Sequence, residues 1–131
     1  MTAKLDAIGL VVADLKTAIN FYRHLGLDFG AEPDPEGHGH AEAVLSGGMR
    51  LMLDSIASIH EFDPAYRPAN GDPRMSLAFR CASPAAVDEL YAALIQAGAT
   101  VHKEPWDAFW GQRYAQLRDL DGNGVDLYAP I

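Results

Sequence analysis

The chain has 131 residues, 49% hydrophobic and 21% charged, which is enough for one compact domain or two half-size modules and too apolar for wholesale disorder. Asp plus Glu number 18 against 10 Lys plus Arg, a formal charge of −8, so the overall field repels a phosphate backbone and excludes nucleic acid as a favoured partner, while a cationic small molecule is welcome. Cys81 is the only cysteine; it rules out an internal disulfide and fits a reducing compartment.

The opening Met1-Thr2-Ala3-Lys4-Leu5-Asp6 lacks a basic stretch followed by an apolar run, and no window approaches the ~18 apolar residues of a membrane span. A cytoplasmic location is expected. Residues 5–12 are short, apolar and β-branched, and read as a strand. Asp14 then offers a helix N-cap before Leu15, Ala18, Ile19, Tyr22 and Leu25, one apolar stripe over 15–25 with Gly26 as its stop. Extended segments are expected around 27–31, around 40–46 and over 49–54, the last two joined by Gly47-Gly48 as a two-residue hairpin turn. Residues 55–74, with Pro64, Pro68, Gly71 and Pro73, break every periodicity and read as a linker.

The same order then returns. Residues 75–81 read as a strand, and Ser83-Pro84 as an N-cap with proline at the first helical position. Val87, Leu90, Tyr91 and Leu94 form a stripe ended by Gly98, followed by extended segments at 99–103, 112–118 and 124–129. From Ala7 to Tyr22 is 15 positions, and from Ser76 to Tyr91 is also 15, so the two halves share a register. The expected organisation is module one over 4–54, a linker over 55–74 and module two over 75–131.

Side chains alternate across a strand, so parity separates two faces. Ile8, Leu10, Val12, Met49, Leu51, Leu53, Leu77, Phe79, Cys81, Val125 and Leu127 form an apolar face for the helices to cover. Leu5, Ala7, Gly9, Val11, Arg50, Met52, Asp54, Ser76, Ala78, Arg80, Gly124, Asp126 and Tyr128 form the other, whose small residues and isolated charges suggest a surface enclosing space. A two-residue turn would place Leu45 opposite Arg50 and Ala43 opposite Met52. A turn over 120–123 would place Leu117 opposite Asp126 and Ala115 opposite Tyr128, with Arg113 turned inward.

Two βαβββ modules, the segment Ile8-Gly9-Leu10-Val11-Val12-Ala13-Asp14-Leu15 with Phe21-Tyr22 and Leu25-Gly26-Leu27 behind it, and the run from Trp110-Gly111-Gln112-Arg113 through Asp119-Leu120-Asp121-Gly122-Asn123 to Asp126-Leu127 resemble the vicinal oxygen chelate superfamily. That is the superfamily of glyoxalases, bleomycin resistance proteins, fosfomycin-modifying enzymes and extradiol dioxygenases. The resemblance implies an α+β fold, with two tandem βαβββ modules in a curved, partly open mixed-sheet barrel and helices outside. It also implies a homodimer in which modules pair within or across subunits.

The fold hosts unrelated activities, so function has to come from the site. Metal-dependent members place His, Glu or Gln ligands on the first and last strand of each module. Carried over through the motifs, those positions are Ala7, Met52, Ser76 and Asp126, of which only Asp126 is a competent ligand for Mg²⁺, Mn²⁺ or Zn²⁺. The resemblance is therefore closest in type to metal-free, bleomycin-resistance-like members. A small-molecule binding or sequestration protein with no cofactor is expected. The alternative is a glyoxalase-like lyase, isomerase or dioxygenase with a shifted or degenerate metal site. Candidate ligand-binding residues are Arg50, Met52, Arg80, Trp106, Trp110, Arg113, Asp126 and Tyr128. Glu36, His38, His40 and Glu42 offer the one displaced chelating pattern, although flanking Gly37 and Gly39 fit a solvated loop as well. His24, His60 and His102 form no readable triad, and Cys81 in Leu77-Ala78-Phe79-Arg80-Cys81 reads as a small core residue.

Overall fold

The computed structural model describes residues 2–131. It divides into two compact units, Met1–Pro68 and Ala69–Ile131, each with its own sheet. No helix among the described residues is long and apolar enough to cross a membrane.

In the first unit, β1 (Ala7–Val12) is followed by α1 (Leu15–Arg23), β2 (His40–Val44), β3 (Arg50–Ser55) and a short α2 (Ile56–His60). Asp14 caps α1, its carboxylate accepting from the Thr17 amide at 3.0 Å. That hydrogen bond holds the Asp14 carboxyl below its usual range. Ala18, Ile19, Phe21 and Tyr22 carry the helix into the core, and Gly26 leaves it at φ +86°. The three strands lie in the order β1-β3-β2, with β1 parallel and β2 antiparallel to β3. The expected strand near 27–31 does not form. The Asp28 carboxylate instead accepts from the Gly30 amide at 2.8 Å, an Asx turn, and Gly30 takes φ +77°. The expected linker also holds α2, capped by Ser55, whose Oγ accepts from the Ser58 amide at 3.1 Å.

In the second unit, β4 (Ser76–Arg80) is followed by α3 (Pro84–Gln96), β5 (Thr100–Ala108), β6 (Gln112–Arg118) and β7 (Gly124–Pro130), in sheet order β4-β7-β6-β5. Ser83 caps α3 by accepting from the Ala86 amide at 3.1 Å, and Gly98 ends it at φ +104°. Val87 and Leu94 of α3 and Ala115, Leu117, Val125 and Leu127 of the sheet are fully buried. The α+β class and mixed sheets agree with the expectation; neither sheet closes on itself.

Both hairpins differ from the expected register by one residue. Leu45 and Met49 close a loop of three residues, as do Asp119 and Asn123, and the last loop residue of each is a glycine at positive φ, Gly48 at +91° and Gly122 at +85°. This is the three-residue loop in which a left-handed glycine completes the turn. The odd loop length pairs Glu42 with Met52, Ala43 with Leu51, Gln116 with Asp126, and Tyr114 with Tyr128. A one-residue shift exchanges the faces of a strand. Ala43 therefore joins the first unit's core, with His40 and Glu42 on the opposite face beside Asp54 and Met52, and Ala115 and Leu117 join the second unit's core, with Tyr114, Gln116 and Arg118 on the opposite face beside Tyr128, Asp126 and Gly124.

Candidate functional site

Each unit turns one sheet face away from its helix, and the polar chemistry gathers there. In the first unit His40 Nδ1 lies 2.6 Å from Asp54 Oδ1 and Nε2 2.7 Å from Glu42 Oε2, an arrangement in which the imidazolium donates to both carboxylates. Arg50 donates to Glu42 Oε1 at 2.8 Å and also binds Asp6. The bond to Glu42, then that to Asp54, holds the His40 imidazolium above its usual pKa. Bonds from His40 and Arg50 hold Glu42 below its own. Arg50 is thus fully paired, and Met52 lies half-buried between the chains of this network and Gly9, opposite Glu42 in the ladder.

The displaced chelating pattern does not assemble. His38 stays in the loop beside Glu36 at 3.3 Å, both well exposed, whereas His40 opens β2 with both ring nitrogens already engaged. Among the described residues no three His, Cys, Asp or Glu side chains are grouped to hold a metal ion.

In the second unit Asp126 is 6% exposed. Its Oδ2 accepts from the Tyr114 hydroxyl at 2.7 Å and from Ser76 Oγ at 3.2 Å. Burial, then the bond to Asp126, pushes the Tyr114 phenol up, so it remains a donor throughout the physiological range. Around this carboxylate stands a platform of rings. Tyr114 stacks on Tyr128 at 6.1 Å and meets Trp106 at 5.6 Å and Trp110 at 5.5 Å edge-on, geometries that favourable aromatic pairs adopt. Lys103 Nζ lies 4.1 Å from the Trp106 ring. Trp110, 49% exposed, donates to Gln112 Oε1 at 2.8 Å. Arg80 is exposed on the same face of β4, in register with Tyr128.

Arg80, Asp126 and Tyr128 therefore share a face, as strand parity predicts, and Trp106 and Trp110 join them through Tyr114. Arg113 does not. The odd loop turns it to the helix side, where its Nε and Nη2 grip both oxygens of Asp88 on α3 at 3.0 and 3.3 Å, and Nη1 reaches Asp107 at 3.2 Å. It is a clamp between helix and sheet and not an inward arginine. Cys81 is half-buried, and burial pushes its thiol up, the opposite of what a nucleophile needs.

An even hairpin loop leaves Tyr114, Gln116, Arg118 and the His40–Glu42 pair off these faces, where the structure places them. Their signal was present in the alternation His40-Ala41-Glu42-Ala43 and Tyr114-Ala115-Gln116-Leu117-Arg118, whose polar members all fall on one parity.

A family profile described as the Glyoxalase/Bleomycin resistance protein/Dioxygenase superfamily matches residues 4–127. The chain belongs to that superfamily. Solved structures agree on the fold. A glyoxalase/bleomycin resistance protein/dioxygenase family enzyme from Burkholderia phytofirmans superposes with a TM-score of 0.81 at 19% identity, over 98% of this chain and 100% of that one. A glyoxalase-related enzyme from Fulvimarina pelagi gives 0.78 at 19%, over 98% and 88%, and a protein of Agrobacterium tumefaciens solved in solution gives 0.73 at 27%, over 99% and 99%. No curated protein is significantly similar in sequence.

The superfamily's metal-dependent members raise the question of a divalent cation. In the first unit the corresponding positions are Ala7, which has no donor, and Met52, a soft thioether. In the second they are Ser76, a neutral hydroxyl, and Asp126, whose Oδ2 is already taken by two donors. These residues do not fit a catalytic Mg²⁺, Mn²⁺ or Zn²⁺.

Proposed function

We propose that the chain is a metal-independent small-molecule binding protein of the glyoxalase/bleomycin resistance type, a cytoplasmic homodimer that sequesters its ligand on the open face of the second unit. The observation that carries this reading is the replacement of the second unit's expected metal ligands by a Ser76–Asp126–Tyr114 network whose tyrosine packs against three further aromatic rings. A buried carboxylate held by neutral donors is an acceptor for a ligand's N–H or ammonium group, and the rings offer edges and faces to a planar one. With each aromatic contact worth about 0.5–1.5 kcal/mol beyond area burial, affinity in the micromolar range, roughly 8 kcal/mol in total, is the expectation.

The test uses proflavine, a planar cation, and metal-free bleomycin against protein dialysed with chelator. Trp106 and Trp110 are the only tryptophans, so their emission reports binding on the platform. Quenching that saturates, persists in excess EDTA and weakens in Asp126→Asn supports the reading. Binding that disappears with EDTA and returns with added metal overturns it in favour of the glyoxalase-like lyase, isomerase or dioxygenase alternative.

A further inference from the structure

We propose that the ligand of this face carries a carboxylate, seated between Arg74, His102 and Arg118 at the far end of the strands from the tryptophans. The inference rests on the binding reading above and gives it a chemical class.

An open cleft of about 290 Å³ in the second unit is lined by Arg74, Ser76, His102, Gln116, Arg118 and Asp126 together with Asp72 and backbone. In a chain with an excess of acid, two arginines of these sheets are neutralised at short range, Arg50 by Glu42 and Asp6 and Arg113 by Asp88 and Asp107, while Arg80 stands exposed at the end of β4. Arg118 is neither. Its side chain is 18% exposed, yet among the described residues its one ion pair is with Asp72 at 3.7 Å, itself 88% exposed, and its one hydrogen bond is a long 3.4 Å contact to the Leu117 carbonyl. A guanidinium carries five N–H donors in a planar fork, and leaving most of them unmatched in a half-buried place is unfavourable unless an oxyanion completes them. The side chains of Arg74 and His102 make no hydrogen bond or ion pair among the described residues. Three cationic or donor groups thus converge on one cleft, and among the described residues the one ion pair they make is the long Arg118–Asp72 contact at 3.7 Å.

The geometry links this cleft to the aromatic platform. Tyr114, Gln116 and Arg118 occupy alternate positions of β6 on one face, so ring and guanidinium stand about 13 Å apart along the strand. Asp126 lies between them in the ladder, opposite Gln116. Its own charge does not veto an anion at the far end. Coulomb energy falls with distance, and a cation in contact outweighs a carboxylate roughly two residues, about 7 Å, away. Gly124, opposite Arg118, completes the shape: a Cβ there would meet the Met75 carbonyl at 2.7 Å, so only glycine lets the chain of Met75 and Ser76 fold against the sheet as the cleft's wall. An aryl group on the tryptophans, a hydrogen-bond donor at Asp126 and a carboxylate at Arg118 describe one extended ligand.

Paired probes long enough when extended to reach from the rings to the guanidinium test this: 6-phenylhexanoate and its neutral isostere 6-phenylhexanamide, titrated into the intact chain at low ionic strength by calorimetry and tryptophan quenching. The carboxylate is expected to bind about tenfold tighter than the amide, the gain of one charge-assisted fork. That preference should shrink in Arg74→Ala and vanish in Arg118→Gln, while amide affinity stays unchanged in both. Arg74 is exposed and its removal leaves the core intact, so this variant decides even if Arg118→Gln folds poorly. Equal affinities in the parent, or a preference surviving both substitutions, overturns the carboxylate site while leaving platform binding standing. If neither probe nor proflavine binds, the binding reading falls and this inference with it.

Discussion

Tyr114→Phe removes one oxygen atom and nothing else from the platform. The ring keeps its contacts with Trp106 at 5.6 Å, Trp110 at 5.5 Å and Tyr128 at 6.1 Å, so packing is preserved. What is lost is a 2.7 Å hydrogen bond to a carboxylate that is 6% exposed. Among the described residues, the longer 3.2 Å bond from Ser76 is then the one left on that oxygen. Hydrogen bonds to charged groups are worth about 1.5–3 kcal/mol, and the buried partner is left under-satisfied, so the variant should be destabilised by roughly that amount. At about 4 °C per kcal/mol for a chain of this length, Tm should fall by about 6–12 °C, read by circular dichroism and checked by urea unfolding. In an Asp126→Asn background the charge is gone and the same substitution should cost only about 1 kcal/mol. A Tyr114→Phe protein within about 0.5 kcal/mol of the parent, or strict additivity in the double variant, refutes the idea that this bond organises the face.

Other expectations follow from the same coordinates. His40 is raised above its unfolded value, so its stabilisation is complete below about pH 6.5 and is lost as pH rises through the folded value. Because the side chain is 39% exposed, the two pairs together are worth only about 1 kcal/mol, and the stability gap between the parent and His40→Gln should be full below the ordinary imidazole pKa of about 6.5 and close as pH rises through the raised folded value. A gap that widens with pH contradicts the sign. Gly98→Ala should lose about 1–3 kcal/mol, since φ is +104° and the new Cβ would lie 2.7 Å from Leu120 Cδ2. Gly9→Ala, at ordinary φ with Met52 Cε at 3.7 Å, should stay within about 0.5 kcal/mol; equal losses at both sites would count against the backbone argument. Asp119→Ala strips the β6–β7 loop of bonds from the Asp121 and Asn123 amides at 2.9 and 2.8 Å, and slower-exchanging amides in that loop should become fast by hydrogen exchange.

The repeat, both long helices and their caps were legible because each rests on a local rule: Asp14 and Ser83 have the side-chain oxygen an N-cap needs, and Gly26 and Gly98 the freedom a helix end needs. Which residues shared a face was harder to read, and one physical fact accounts for it. Loop length by one residue decides the partner of every residue beyond it, and Gly47-Gly48 fits a two-residue turn as well as the three-residue loop that forms. Arg113 went to the wrong face for that reason, and Tyr114 and Arg118 were missed with it. The strands' own polar alternation carried the right answer, because a parity that buries Arg118 while exposing Leu117 opposes the hydrophobic effect. The absent strand near 27–31 and the helix Ile56–His60 were decided by short side-chain caps, Asp28 and Ser55, that no periodicity records.

We propose that this superfamily member works without a metal, since Ala7, Met52, Ser76 and Asp126 do not make a donor set. Calorimetric titration of the chelator-treated chain with Mn²⁺, Zn²⁺ and Mg²⁺, repeated on Asp126→Asn, addresses it directly. The account predicts no saturable one-to-one binding at micromolar metal, with proflavine quenching indifferent to the ion. One tightly held equivalent per chain that Asp126→Asn abolishes would contradict it.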